Sequence, residues 1–355
     1  MPGESGQLTE SLYGALLGAA VGDALGIAYE NLAPRRALRL FPRTDAYHLL
    51  PKVGLISDDA EHVIMTARAL AHSGGEPAQF LYGLAQELRL WIVSLPAGTG
   101  LATARAGVKL WCGVSPYQSG VFSAGNAPAL RAGLIGVACA NDAVLRESLL
   151  PLSTRLTHTD PKALHGAQVA AALGAHAAQR FRQRLTPDTV ASLVQSTDAE
   201  LHALLEATLE SVVRAQSPEA FAQSQGWTRG VSGYIYHTLA VALHAWLSYP
   251  QSFEQSVQSL IRCGGDTDST AALLGLWIGA QGGASAIPER WRQRLLDPLA
   301  RPPMLRQIAQ AVTDSLTNRQ ATPIARPMFL LRLGRNCMFL ALVLAHLARR
   351  ALPPY

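Results

Sequence analysis

Apolar residues recur along this chain at three- and four-residue steps, and no segment sustains the apolar–polar alternation of a half-buried strand. That period is the one helices use to face a core, and abundant Ala and Leu favour the same state. From 11 to 25 the chain is small and apolar, with Gly14, Gly18, Gly22 and Gly26 four residues apart. The spacing puts the glycines on one face, where another helix could approach closely, and predicts a central helix. Val63, Ile64, Ala67 and Leu70 mark an amphipathic helix, and helices are predicted over 78–94, 101–110, 127–140, 163–180, 187–215, 234–246, 253–262, 270–281, 304–315 and 329–350. Between 31 and 56 the periodicity breaks at Pro34, Pro42 and Pro51, around Phe41, Tyr47 and His48, and a connection of that length is often a functional cover.

The pattern predicts an all-α fold, a single compact multi-helix domain over 11–350 with short tails at 1–10 and 351–355. Residues 317–327 are polar and proline-containing, but the apolar helix after them needs the main core to bury it, so they are not read as a domain boundary. The apolar run 337–348, bounded by Arg335 and Arg349-Arg350, is shorter than the roughly 20 residues that span a bilayer. It is expected to be a buried core helix, not a membrane span.

Composition narrows the class. With 49% hydrophobic and 15% charged residues the 355-residue chain is globular and not disordered. The net charge of +5 comes from scattered basic residues and short pairs such as Arg35-Arg36, which argues against nucleic-acid binding and favours, mildly, an anionic small molecule. Cys112, Cys139, Cys263 and Cys337 lie far apart with no CxxC pair, so they read as buried thiols in a reducing compartment. The start Met1-Pro2-Gly3-Glu4-Ser5 lacks a basic segment followed by an apolar run, and a cytoplasmic location is expected.

Two segments place unusual chemistry at helix entrances: Ser57-Asp58-Asp59-Ala60-Glu61-His62 and Gly264-Gly265-Asp266-Thr267-Asp268-Ser269-Thr270. Each alone has a plain explanation as a helix cap. Together, four aspartates with hydroxyl neighbours and no adjacent Lys or Arg would repel one another unless a cation joined them. Oxygen donors of this kind suit Mg²⁺, Mn²⁺ or Ca²⁺. A third segment, Gly120-Val-Phe-Ser-Ala-Gly-Asn-Ala127, is a small-residue loop opening a helix near Pro128, where free N–H groups suit a phosphate, although plain turns share that composition. Glu30 and His158 stand at junctions where a solvated carboxylate and a turn histidine are the ordinary readings.

Taken in order, these segments resemble the ADP-ribosylglycohydrolase family. The likeness runs from Tyr13-Gly-Ala-Leu-Leu-Gly-Ala-Ala-Val-Gly-Asp-Ala-Leu-Gly26 to about Trp291, with Ser57-Asp58-Asp59 and Gly264-Gly-Asp-Thr-Asp-Ser269 its most specific pieces. Ser123-Ala-Gly-Asn126, Thr157-His-Thr-Asp-Pro161 and the helix from Arg335 add to it. The resemblance implies an all-α fold and two divalent cations, Mg²⁺ or Mn²⁺, held by Ser57, Asp58, Asp59, Asp266, Asp268 and Ser269. It implies ADP-ribose binding by Gly120, Ser123, Gly125, Asn126 and His158, and activation of water by Glu30 or Asp59, between which the residues do not choose. Phe122, Tyr117 and Tyr47 are candidates for contact with adenine. Departures are Ser57 where Thr is usual, Ala60 in place of a following Thr, and Ala127 where Gly is common.

The implied activity is removal of ADP-ribose from a modified protein or small molecule, first of all from N-linked ADP-ribosyl-arginine. Serine- or ester-linked ADP-ribose is the alternative, and a non-catalytic structural or ADP-ribose-binding relative is an alternative of another class.

Overall fold

Each of the four glycines is taken up by a partner backbone. The computed structural model describes residues 4–183, 186–194, 196 and 198–353, and its helices are α1 (Glu4–Gly26), α2 (Pro34–Leu40), α3 (Asp58–Ser73), α4 (Pro77–Ile92), α5 (Leu101–Trp111), α6 (Ala127–Ala138), α7 (Ala143–Arg155), α8 (Pro161–Gln179), α9 (Pro187–Ala191), α10 (Ala199–Val213), α11 (Pro218–Ser224), α12 (Ile235–Ser248), α13 (Phe253–Cys263), α14 (Thr267–Gly282), α15 (Glu289–Arg292), α16 (Pro302–Asn318) and α17 (Phe329–Arg350). Among the described residues, extended pairing is limited to isolated bridges. α1 runs antiparallel to α14: a methyl group at Gly14, Gly18, Gly22 or Gly26 would sit 2.0, 2.0, 2.1 or 2.4 Å from the carbonyl oxygen of Gly279, Gly275, Ala271 or Thr267. Gly275 and Gly279 are equally close to Gly18 and Gly14, so the seam admits no side chain from either helix.

Around that pair one cluster of buried residues extends from Leu12 to Val312, with Trp246 stacked on Trp277 at 5.5 Å and Trp91 fully enclosed. The predicted 187–215 helix is two helices, because the Asp198 side chain accepts the Leu201 N–H and caps a new start. The connection at 31–56 carries α2, with Pro34 in its first turn. Helices α7 and α11 were not foreseen; Asp142 and Ser217 cap them, and α7 continues through Pro151. Of the expected N-terminal tail, residues 4–10 belong to α1 and the Thr9 hydroxyl bonds Thr313 Oγ1 at 3.0 Å. Residues 1–3, with the sequence start on which the location was argued, and 354–355 of the expected C-terminal tail lie outside the described residues.

Two expectations are corrected. α17 is not a core helix: its buried residues are Arg332, Arg335, Asn336 and Phe339, Leu342 and Val343 pack half-buried beside Phe339, and Leu330, Leu331, Leu340, Leu344 and Leu347 are exposed. The reason is ionic, since Arg335 is drawn inward by Asp297 and by Glu61 at 3.1 Å, and the rest of the helix follows. α1 and α17 are both long and apolar enough to cross a membrane; the apolar stretch of α1 is buried throughout, and α17 is tied to the body through Arg335 and Asn336. Cys139 and Cys263 are buried as expected, but Cys112 and Cys337 are exposed.

Candidate functional site

The α1–α14 seam fixes what meets at its end. α1 leaves Gly26 through a 3₁₀ turn (Ile27–Tyr29) to Glu30, while α14 begins beside it at Thr267, whose hydroxyl donates to the Gly26 carbonyl at 2.9 Å. Asn31 N–H donates to the Gly265 carbonyl and Gly265 N–H to that of Leu32, at 2.7 and 2.9 Å, which ties Glu30 to the Asp266–Ser269 segment. Gly265 sits at φ +81° with Val231 O only 2.0 Å from where a Cβ would be, so no other residue fits there.

α3 is brought in by Asp23 of α1. Both oxygens of this buried carboxylate accept the Ser57 N–H at 2.9 Å, and one also accepts the Ala60 N–H at 2.9 Å. Two donors of a helix start, the N–H groups of Ser57 and Ala60, are answered this way from another element, and Asp58 and Asp59 are aimed at α14. Burial pushes Asp23 up to about 7, against the pull of those N–H groups. Behind α3, Arg335 donates to Asp297, Glu61 and the Ile56 carbonyl, so a buried guanidinium braces the segment from the opposite side.

Glu30, Asp58, Asp59, Asp266, Asp268 and Ser269 line one cavity of about 450 Å³, a size usual for small-molecule sites. Asp59, Asp266 and Asp268 each bring one oxygen within 4.8 Å of the others. Ser269 Oγ donates to Asp59 Oδ2 at 2.7 Å, and Asn126 Nδ2 donates to Asp266 Oδ2 at 2.6 Å. Buried Asp268 Oδ1 has no hydrogen-bond partner. Burial, then repulsion among the carboxylates, lifts Asp58, Asp59 and Asp268 well above the ordinary carboxylate range, and burial with Asp266 lifts Glu30 to about 7. An unanswered oxygen amid mutually repelling acids is what a divalent cation would satisfy, so the donor set fits such an ion.

The same cavity is lined by Ser123, Gly125, Asn126 and His158. The 121–125 loop is held by short bridges to His158 and Tyr234. Buried Arg131 donates to Thr157 Oγ1 at 2.6 Å, and that hydroxyl meets His158 Nδ1 at 2.8 Å. Burial, then the nearby Arg131, lowers His158 to about 3, so the ring is neutral. In the tautomer in which Thr157 donates to Nδ1, Nε2 carries the ring hydrogen and offers a donor to the cavity.

Some sequence candidates fall elsewhere. Ser57 caps α3, accepting the Asp59 N–H at 3.2 Å, and does not line the cavity. Gly120 is packed against the Arg155 carbonyl outside the lining. Tyr47 is buried with its hydroxyl on the Trp291 carbonyl at 3.1 Å, and exposed Tyr117 packs against Tyr82; neither, nor exposed Phe122, lines the cavity. Missed in the sequence were Asp23, Arg131 and the rim from Gly98 to Thr103, where Gly98 approaches Asp58 so closely that a Cβ would lie 2.9 Å from its Oδ1. Asp23 had a visible signal, an acidic residue within an otherwise small and apolar helical run.

The ADP-ribosylglycohydrolase family model matches residues 4–323. The chain is 26% identical over 295 residues to ADP-ribosyl-[dinitrogen reductase] glycohydrolase of Rhodospirillum rubrum, covering 79% of this chain and 89% of that protein. It is 28% identical over 298 residues to an uncharacterized protein of Archaeoglobus fulgidus, covering 82% and 93%. A solved structure described as an ADP-ribosylglycohydrolase-related protein complex matches with a TM-score of 0.66 and 26% identity, over 88% of this chain and 99% of that one.

Proposed function

Because the chain belongs to the ADP-ribosylglycohydrolase family, we propose that it removes ADP-ribose from modified targets at a pair of divalent cations, with N-linked ADP-ribosyl-arginine as its first substrate. The supporting observation is that Glu30, Asp58, Asp59, Asp266 and Asp268, from distant parts of the chain, line a single cavity together with Ser123, Gly125 and Asn126. The Rhodospirillum rubrum relative, a glycohydrolase of ADP-ribosyl-dinitrogen reductase by name, supports a modified protein as substrate.

In this reading Asp58, Asp59, Asp266 and Asp268, with the Ser269 hydroxyl, hold Mg²⁺ or Mn²⁺. Such ions supply positive charge at the sugar hydroxyls and acidify a bound water. Ser123, Gly125 and the His158 Nε2–H receive the ribose and diphosphate oxygens, and Asn126 keeps Asp266 oriented. Glu30 is assigned the proton-accepting role over Asp59. Each has one oxygen hydrogen-bonded, Asp59 Oδ2 by Ser269 and Glu30 Oε1 by Asn31 Nδ2 at 2.9 Å, but Asp59 is buried among the cation-holding carboxylates whereas Glu30 is partly exposed in the lining. A positioned base of this kind contributes about 10²–10⁴-fold. Positive charge developing at the anomeric carbon as the N-glycosidic bond breaks is favoured by the surrounding carboxylates.

The test is release of ADP-ribose from arginine-, serine- and ester-linked substrates, with and without a chelator, by the native protein and Asp268→Ala. Arginine-linked substrate should be cleaved fastest, and both controls should abolish cleavage. Activity surviving in chelator and in Asp268→Ala would overturn the metal reading; cleavage of the serine or ester linkage alone would overturn the substrate.

A further inference from the structure

α17 lies beyond the residues matched by the family model, turns its polar side inward and leaves its apolar side to solvent. Leu330 is 73% exposed, Leu344 56% and Leu347 50%. No charged residue appears on the outward face from Phe329 to Ala348, since Arg332 and Arg335 are both buried. A 22-residue helix is about 33 Å long, and an uninterrupted apolar face of that length on a globular chain marks a contact surface.

The spacing says what covers it. Leu330, Gly334, Cys337, Ala341, Leu344 and Ala348 are all exposed and follow alternating four- and three-residue steps, the seam of two supercoiled helices. Met338, Leu340, Ala345 and Leu347 flank the seam and are exposed too. Its large residues, Leu330 and Leu344, lie apart with small ones, Gly334, Cys337, Ala341 and Ala348, at the other seam positions, so that one copy can set large against small on another. In an antiparallel pair with its twofold axis at Phe339, Leu330 meets Ala348 of a second copy, Gly334 meets Leu344, and Cys337 meets Ala341. Parallel pairing would set Gly on Gly and Leu on Leu, and would gather Arg349 and Arg350 of both copies at one end. The exposed side chains offer on the order of 600 Å² per chain, or about 1,200 Å² for the pair, the lower edge of stable interfaces.

A helix lying on a membrane keeps Lys or Arg beside its apolar face. Here Arg335 is spent on Glu61 and Asp297, and Arg349 is the exposed cation at the far end. We propose that α17 is the interface of a homodimer, paired antiparallel about a twofold axis through this seam. The proposal is independent of the hydrolase reading.

Sedimentation velocity of the full chain at micromolar concentration should give a dimer. Leu344→Glu should weaken it by ~100-fold or more, as burying an unpaired charge in an interface costs several kcal/mol, with the helicity of the monomer retained because the residue is exposed on the single chain. In a Cys112→Ser background, oxidation should leave the chain uncross-linked, and adding Ala341→Cys should link two copies through Cys337. A monomeric native protein, a Leu344→Glu protein still dimeric, or cross-linking through Cys337 without Ala341→Cys would each overturn the proposal. So would a native monomer that floats with phosphatidylserine-containing vesicles while Leu344→Glu does not, which would make the face a membrane surface.

Discussion

The Arg350 guanidinium reaches from the last turn of α17 to the main chain of Glu30, donating to its carbonyl at 2.9 Å and to that of Ala28 at 2.8 Å. The helix that braces α3 through Arg335 thus also holds the turn carrying the proposed base. Charge-assisted hydrogen bonds of this type contribute about 1.5–3 kcal/mol each. Arg350→Ala should lower kcat by about 10- to 100-fold, at ~1.4 kcal/mol per factor of ten, with KM little changed and Arg350→Lys recovering part of the loss. Steady-state release of ADP-ribose measures this, and an alanine variant within twofold of native would remove Arg350 from the mechanism.

The α1–α14 seam tolerates no added atom. Gly18→Ala or Gly275→Ala forces a methyl group to about 2 Å from a carbonyl oxygen of the opposing helix. Overpacking of well-fitted interiors costs about 1–3 kcal/mol, and more where backbone must move. Both variants should melt well below native, whereas Gly100→Ala, with open space around it, should not. Equal melting of all three by circular dichroism would contradict the close approach.

Asp268 should reveal the cation through stability alone. In chelator, Asp268→Asn should be more stable than native by about 1–2 kcal/mol, since it relieves buried like-charge repulsion. On adding Mn²⁺ the native protein should gain about 2.7 kcal/mol at a hundredfold excess over Kd, and the variant should not respond. A native melting curve indifferent to both Mg²⁺ and Mn²⁺ would leave the acidic cluster without a role as a metal site.

A buried histidine far from the cavity predicts the behaviour in acid. His244 stacks on Phe221 and bonds Ser211 Oγ at 3.0 Å, and burial lowers it to about 4 from the ordinary 6.5. The unfolded chain binds this proton below pH 6.5 while the folded one refuses it. The contribution is therefore complete above pH 6.5 and lost as pH falls through about 4, at roughly 1.4 kcal/mol per pH unit. The difference in unfolding free energy between native and His244→Gln should shrink by about 2 kcal/mol between pH 7 and pH 5; parallel pH profiles would refute it.

The helix entrances bearing Asp58, Asp59, Asp266 and Asp268 were legible because capping residues and small-residue loops are local signals. Their convergence was not, although its cause stands in the sequence: Gly275 and Gly279 repeat the four-residue spacing of Gly14 and Gly18, and each pair needs the other. Asp23 reads as a polar residue near a helix end until the Ser57 and Ala60 donors are in view. α17 was misread because hydropathy stood in for burial. Its inward face is chosen by Arg335, whose carboxylate partners Asp297 and Glu61 are 38 and 274 residues away. Tyr47 lies away from the cavity for a similar reason, its hydroxyl donating to the carbonyl of Trp291 in a part of the chain no local pattern connects to it.

The glycine seam also governs when, in the life of the polypeptide, the acidic centre can exist. Gly26 and Thr267 are 241 residues apart, so a chain emerging from the ribosome carries Asp23, Asp58 and Asp59 long before α14 arrives to enclose them. Until then those acids stay hydrated and ordinary. Nascent or prematurely terminated products that lack α14 thus hold only part of the acidic set, and the centre is assembled only once α14 has packed along α1.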